Sequence, residues 1–216
     1  LKNLIELHQK NNIPNKILIS GPKGIGKSSL VDHFLKYVYS NEILVNQNLH
    51  PNIYKIFKKD EKKNIEISQI REMIKFLNLS SFNDIQKTVV IDNIELLNVN
   101  SANALLKSLE EPNDKDMFIL INNSNISILE TLRSRCVEFK VSLNAEEVIK
   151  IINNSFDDQI YEKISDDFKN IYTSPSFMIS LINFFKENDI NINDITIENF
   201  LSDLITKKLY IKNNFI

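Results

Sequence analysis

KILISGPKGIGKSSL (16–30) decides how this chain is built. Its first five residues, Lys16–Ser20, are a short apolar run of the kind buried in a parallel sheet. The next nine, Gly21, Pro22, Lys23, Gly24, Ile25, Gly26, Lys27, Ser28 and Ser29, fit G-x-x-x-x-G-K-[ST] without deviation, and a helix-period stretch comes after them. Strand, glycine loop, helix is the context in which this motif cradles phosphate. The glycines let successive N–H groups point inward at phosphate oxygens, and the helix N-terminus adds partial positive charge at the same spot. Lys27 reaches the outer phosphates, and the Ser28 hydroxyl suits Mg²⁺. A turn that binds nothing is the bland alternative. Against it stands composition: average usage would give about 15 glycines, and the chain has three, all inside this loop.

Outward from the loop, apolar runs at 52–57, 88–92, 117–121 and 136–141 read as four more strands. Helix-period segments separate them: 1–10 at the start, 28–39, 69–78 with Ser68 as cap, 100–111 capped by Asn100 and stopped by Pro112, and 126–135. Strands alternating with helices predict an α/β fold with a five-stranded parallel sheet covered on both faces. From residue 142 the period becomes helical throughout, over 144–154, 158–172, 174–188 and 196–211. The expected division is therefore an α/β core over 1–141, a small helical domain over 142–187, and a helical stub over 188–216.

Composition excludes several classes. Charged residues make up 25% of the chain and apolar ones 43%, ordinary values for a globular domain. No apolar run approaches membrane-spanning length, and 1–10 lacks the pattern of a signal peptide. The single Cys136 rules out an internal disulfide and a multi-cysteine zinc site, and suits a reducing, cytoplasmic setting. A net charge of −2 gives no bulk attraction for nucleic acid. His8, His33 and the lysine-rich stretch 58–64 read as ordinary helix and surface residues. Cys136 reads as a small buried hydrophobe.

The strand 88–92 ends in Asp92, placed to hold hydrated Mg²⁺ beside the loop. The next residue is Asn93, where hydrolysing NTPases of this type carry a carboxylate. An amide orients water but does not take its proton near pH 7, and losing a general base costs about 10²–10⁴ in rate. Glu95 lies beyond the strand end and substitutes only if the backbone turns it back.

These motifs occur in order with His50–Pro51, IEISQIREMIKFL (65–77), NSANALLKSLEEP (100–112) and LRSRC (132–136). Together they resemble the clamp-loader branch of the AAA+ family over most of residues 16–140. The resemblance implies a P-loop AAA+ core, a helical lid domain at 142–187 and the start of a collar domain after 187. It implies ATP or ADP with Mg²⁺ held through Ser28 and Asp92, and no zinc. It puts Asn123 at the polar sensor of the γ-phosphate and Arg135 at the arginine finger, presented in trans to a neighbour's ATP. The implied partners are the other loader subunits (gamma/tau and delta), a sliding clamp, and primed DNA within the assembly. Three departures stand out: Asn93 for the usual glutamate, Phe177 where the lid helix usually offers an arginine, and a short cysteine-free interval at 39–49. They point to a subunit that binds nucleotide, hydrolyses weakly or not at all, and supplies its finger to a neighbour. The hydrolysing motor subunit, a P-loop kinase and a binding module without ATP chemistry remain as alternatives. Beginning on Leu1 and carrying about 30 residues after 187, the chain reads as a fragment.

Overall fold

A computed structural model describes residues 1–39, 50–59, 62–82, 85–110, 116–123, 128–156, 159–170 and 174–206. It divides into two compact units, 1–142 and 143–216. In the first, α1 (Lys2–Gln9), β1 (Lys16–Ser20), α2 (Lys27–Tyr39), β2 (Ile53–Ile56) and α3 (Ile67–Asn78) are followed by β3 (Lys87–Asp92). Then come a 3-10 turn (Ile94–Leu96), α4 (Val99–Glu110), β4 (Asp116–Asn122), α5 (Glu130–Arg133) and β5 (Val137–Lys140). The five strands form one sheet in the order β2-β3-β4-β1-β5, and every pairing is parallel.

Side chains alternate between two apolar layers, as a two-faced sheet requires. Leu18, Val89, Ile91, Phe118 and Leu120 face Ile70, Met73 and Leu77 of α3 and Ala102, Leu105 and Leu109 of α4. Ile17, Ile19, Val90, Ile119 and Ile121 face Leu4 of α1 and Val31, Phe34 and Leu35 of α2. β3 and β4 are buried along their whole length. Lys87 is buried at the start of β3 because its ammonium has somewhere to go. It donates to the carbonyls of Phe76 at 2.8 Å, Leu77 at 3.0 Å and Leu79, which closes the carbonyl end of α3 with a cation.

Several helix boundaries differ from the sequence reading. The start of α3 is set by Glu66, whose N–H donates to Gln69 Oε1 at 3.2 Å; Ser68 already lies inside the helix. α4 is capped by Asn98, whose Oδ1 accepts the Ser101 N–H at 2.8 Å, so Asn100 is helical rather than the cap. The expected stop at Pro112 lies outside the described residues. Within 126–135 only Glu130–Arg133 is helical among the described residues.

The second unit contains α6 (Ala145–Asn154), α7 (Ile160–Lys163), α8 (Asp166–Lys169), α9 (Pro175–Glu187) and α10 (Ile197–Thr206). The sequence reads as one helix over 158–172, but the chain breaks it at Ser165. That residue is extended, its N–H donates to Ile192 O at 3.0 Å and its hydroxyl to Ile195 O at 2.7 Å. Bonds to a distant segment replace the helical ones. Phe168, Phe184, Phe185 and Phe200 meet edge-to-face, with ring centroids 5.2–6.4 Å apart. This geometry suits the aromatic quadrupole. Phe200 and Leu204 of α10 share one apolar cluster with Ile152, Met178, Leu181 and Ile182.

Candidate functional site

Three neighbouring strands, β3, β4 and β1, end at one edge of the sheet, and the site is built from their last residues and the chain just beyond. The turn after β1 passes so close to β5 that a Cβ on Gly21 would stand 2.2 Å from the Val141 carbonyl oxygen. Only glycine fits there. Val141 N–H also donates to Ser20 O at 2.7 Å, fixing the start of the loop. Gly24 and Gly26 have φ of 79° and 90°, and Leu30 N–H donating to Gly26 O at 2.9 Å opens α2. Pro22, Lys23 and Ser29 are exposed, Ile25 and Ser28 half-buried. His33 Nδ1 lies 2.7 Å from the Ser29 carbonyl oxygen.

Lys27 is 2% exposed, and its ammonium donates to Gly21 O at 2.9 Å and Pro22 O at 2.5 Å. Burial pushes its pKa down, while Asp92 and Glu95 pull it back up. Ser28 Oγ donates to Asp92 Oδ2 at 2.6 Å. The other carboxylate oxygen, Oδ1, accepts Asn123 Nδ2 at 2.6 Å and the Asn93 N–H at 2.8 Å. Asn123 Nδ2 also reaches Asn93 Oδ1 at 3.1 Å. Lys27, Ser28, Asp92 and Asn123, spread over 97 positions of sequence, are thus brought into one cluster. A hydroxyl and a carboxylate are hard oxygen donors, the chemistry that Mg²⁺ takes.

Glu95 belongs to the same cluster. Asn93 adopts the left-handed conformation (φ 57°, ψ 51°), and the 3-10 turn begins at once. This reverses the chain, so that Glu95 Oε2 accepts the Asn123 N–H at 3.1 Å. Sequence spacing placed Glu95 past the strand end. No periodicity announces a left-handed asparagine, although Asn is the non-glycine residue that most readily adopts one.

A cavity of about 340 Å³ opens in the same unit, lined by Leu1–Leu4, Ile19, Leu30 and Phe139–Val141. It adjoins the loop through Val141 and is within the size range of small-ligand pockets. Nothing in the pattern of residues 1–10 announces that α1 lines it.

Arg135 does not join the Asp92 cluster. Its Nη2 donates to Glu110 Oε1 at 2.6 Å and its Nη1 to Thr131 O at 2.7 Å, at the surface. Arg133 donates through Nε and Nη2 to Glu138 Oε2 at 3.1 and 2.8 Å, and Glu138 Oε1 accepts the Ser20 hydroxyl at 2.5 Å. The Ser20 hydroxyl, and then Arg133, hold the Glu138 carboxyl below its ordinary pKa. Burial pushes the Cys136 thiol up to about 11, which leaves little thiolate at neutral pH.

A family model described as DNA polymerase III, delta subunit, matches residues 1–145. The chain belongs to this family. It is 31% identical over 134 residues to DNA polymerase III subunit delta' of Pseudomonas aeruginosa, covering 56% of this chain and 41% of that protein. It is 26% identical over 197 residues to DNA polymerase III subunit gamma of Buchnera aphidicola subsp. Schizaphis graminum, covering 83% of this chain and 54% of the relative. The chain therefore spans about half the length of these relatives. A solved DNA polymerase III gamma subunit-related protein from Thermotoga maritima superposes with a TM-score of 0.51 at 22% identity, over 76% of this chain and 50% of the other. The AAA+ clamp-loader resemblance carried by the motifs and the five-stranded parallel sheet agrees with this membership. No helix among the described residues is long and apolar enough to cross a membrane.

Proposed function

We propose that this chain is a delta-prime-type subunit of the DNA polymerase III clamp loader. In this reading it binds Mg–ATP or Mg–ADP, hydrolyses it weakly or not at all, and lends Arg135 to a neighbouring gamma/tau-type ATPase while a sliding clamp is loaded on primed DNA. The observation that carries the nucleotide part is the cluster at the strand ends. Lys27 rests on two loop carbonyls that phosphate oxygens can replace as acceptors. Ser28 and Asp92, already 2.6 Å apart, are the residues that would hold the ion. Bound Mg²⁺ supplies charge neutralisation at the outer phosphates. Asn123 turns its carboxamide toward the same place, and the cavity beside α1 has room for a base.

The weak-hydrolysis part rests on Asn93, whose amide donates and accepts hydrogen bonds but takes no proton from water. The trans-finger part rests on Arg135 lying at the surface, 33% exposed and away from its own cluster. The helical lid at 142–187 and the start of a collar at 188–216 belong to the same reading, as do the partners delta, sliding clamp and DNA.

One observation favours a second reading, a hydrolysing gamma/tau-type motor: Glu95 is turned back into the cluster. The two separate in one pair of measurements. Calorimetric titration with ATP and ADP in Mg²⁺ shows binding on either reading, and its absence overturns both. Turnover by the isolated chain near the usual enzyme value of about 10 s⁻¹ establishes the motor. Slow or no turnover alone, with the ATPase of an added motor subunit stimulated, is the delta-prime outcome.

A further inference from the structure

We infer that Glu95 is a positioning residue for Asn123, tying the tip of β4 to the turn after β3 and thereby setting how the cluster distinguishes a tri- from a diphosphate. The inference rests on the nucleotide reading above. The Asn123 N–H is the first beyond β4, and its hydrogen bond goes to the Glu95 carboxylate rather than to the sheet. A backbone N–H with a fixed acceptor is held in place, and one that loses its acceptor is released. With the backbone fixed, the Asn123 side chain spans Asp92 Oδ1 and Asn93 Oδ1 and so stands beside the Ser28–Asp92 pair. Releasing the backbone lets the carboxamide leave that position, while Lys27 and Ser28, anchored in α2, stay where they are.

The position explains the left-handed Asn93. A non-glycine residue in that region is strained and persists only where its surroundings hold it, and here the Asn93 N–H and side chain are both held, by Asp92 and Asn123. The turn is shaped to bring Glu95 back to β4. As a water-activating base Glu95 would need its charge; as a positioning residue it needs only an acceptor oxygen.

That distinction supplies the test. Amide hydrogen exchange on the nucleotide-free chain reads the Asn123 N–H directly, without any ligand. In Glu95→Ala that amide is expected to exchange about tenfold faster, and the ratio of ATP to ADP affinities to fall at least threefold through weaker ATP binding. Glu95→Gln keeps an acceptor oxygen and is expected to restore both the protection and the affinity ratio. Unchanged Asn123 exchange in folded Glu95→Ala overturns the inference. So does a Glu95→Gln chain that behaves like Glu95→Ala, because charge and not position is then what matters. If Glu95→Ala does not fold, Glu95→Gln alone decides: retained protection and ratio support the inference, and loss of either overturns it. Failure of wild type to bind nucleotide overturns the proposed function, and the exchange result remains separately readable.

Discussion

The first unit carries two kinds of polar construction, one at each end of the parallel strands. At the ends of β1, β3 and β4, Lys27, Ser28, Asp92 and Asn123 are buried or half-buried and hydrogen-bonded among themselves and to the loop backbone. Toward the other ends of the strands, ahead of the first residue of β5, Arg133 and Arg135 lie at the surface, each held by one carboxylate, with side-chain exposures of 46% and 33%. Interior polar groups are costly unless satisfied, so the first region is closed on itself. Surface ion pairs are weakly held and easily exchanged for another anion. On the proposed reading, the first region serves the chain's own nucleotide and the second a neighbouring subunit.

The sharpest way to break this division is Arg135→Ala. It is expected to leave nucleotide affinity of the isolated chain within about twofold, since Arg135 touches nothing in the cluster. The ATPase rate of a mixture with the motor subunit is expected to fall about 10³-fold at the site that the finger serves. Lys27→Ala should do the reverse, with calorimetric affinity falling about 100-fold or more through loss of a charge-assisted contact. Because Lys27 is a desolvated cation whose pKa is depressed by burial, Lys27→Met is expected to melt no lower than wild type while losing the same affinity.

Third in size is Gly21→Ala. Its Cβ would meet backbone rather than a movable side chain, so a loss of about 2 kcal/mol or more is expected in denaturant titration. Gly26→Ala meets open space and loses only through its positive φ, about 1 kcal/mol. Glu110→Gln should change little. The lost ion pair with Arg135 is worth about 0.5 kcal/mol, and removing a carboxylate from the carbonyl end of α4 returns a similar amount. Its Tm is expected within about 2 °C of wild type. Smallest is a pH effect at Glu138. Its carboxyl is held below the ordinary glutamate range, so its contribution to stability is present above that range and is lost as pH falls through the lowered value. Thermal melts from about pH 6 to about pH 3 should show a slightly flatter decline in Glu138→Gln.

Much of the first region was legible in sequence because its chemistry dictates residue types at fixed spacing. Glycines, lysine and serine must succeed one another for a backbone to wrap a phosphate, and Asp92 had to end a strand. The five strands were legible because parallel strands buried on both faces are nearly continuous apolar runs. Glu95 was not, because its return depends on one left-handed residue that no hydrophobic pattern encodes. Nor was the hold on Arg135, because Glu110 lies 25 positions away and meets it only through the packing of α4 near α5. The helix boundaries at Asn98 and Ser165 escaped for a related reason. Each is set by which of several polar neighbours wins a local hydrogen bond, at Ser165 with a partner segment some 30 residues distant.

The two regions are nevertheless not mechanically separate. Ser20, the residue before Gly21, grips Glu138, and Glu138 grips Arg133, two positions from Arg135. Three side chains therefore form one hydrogen-bonded chain from the mouth of the loop to the arginine segment. The carboxylate that anchors the surface arginine is the same one that the last residue of β1 holds from inside, so the two constructions share Glu138.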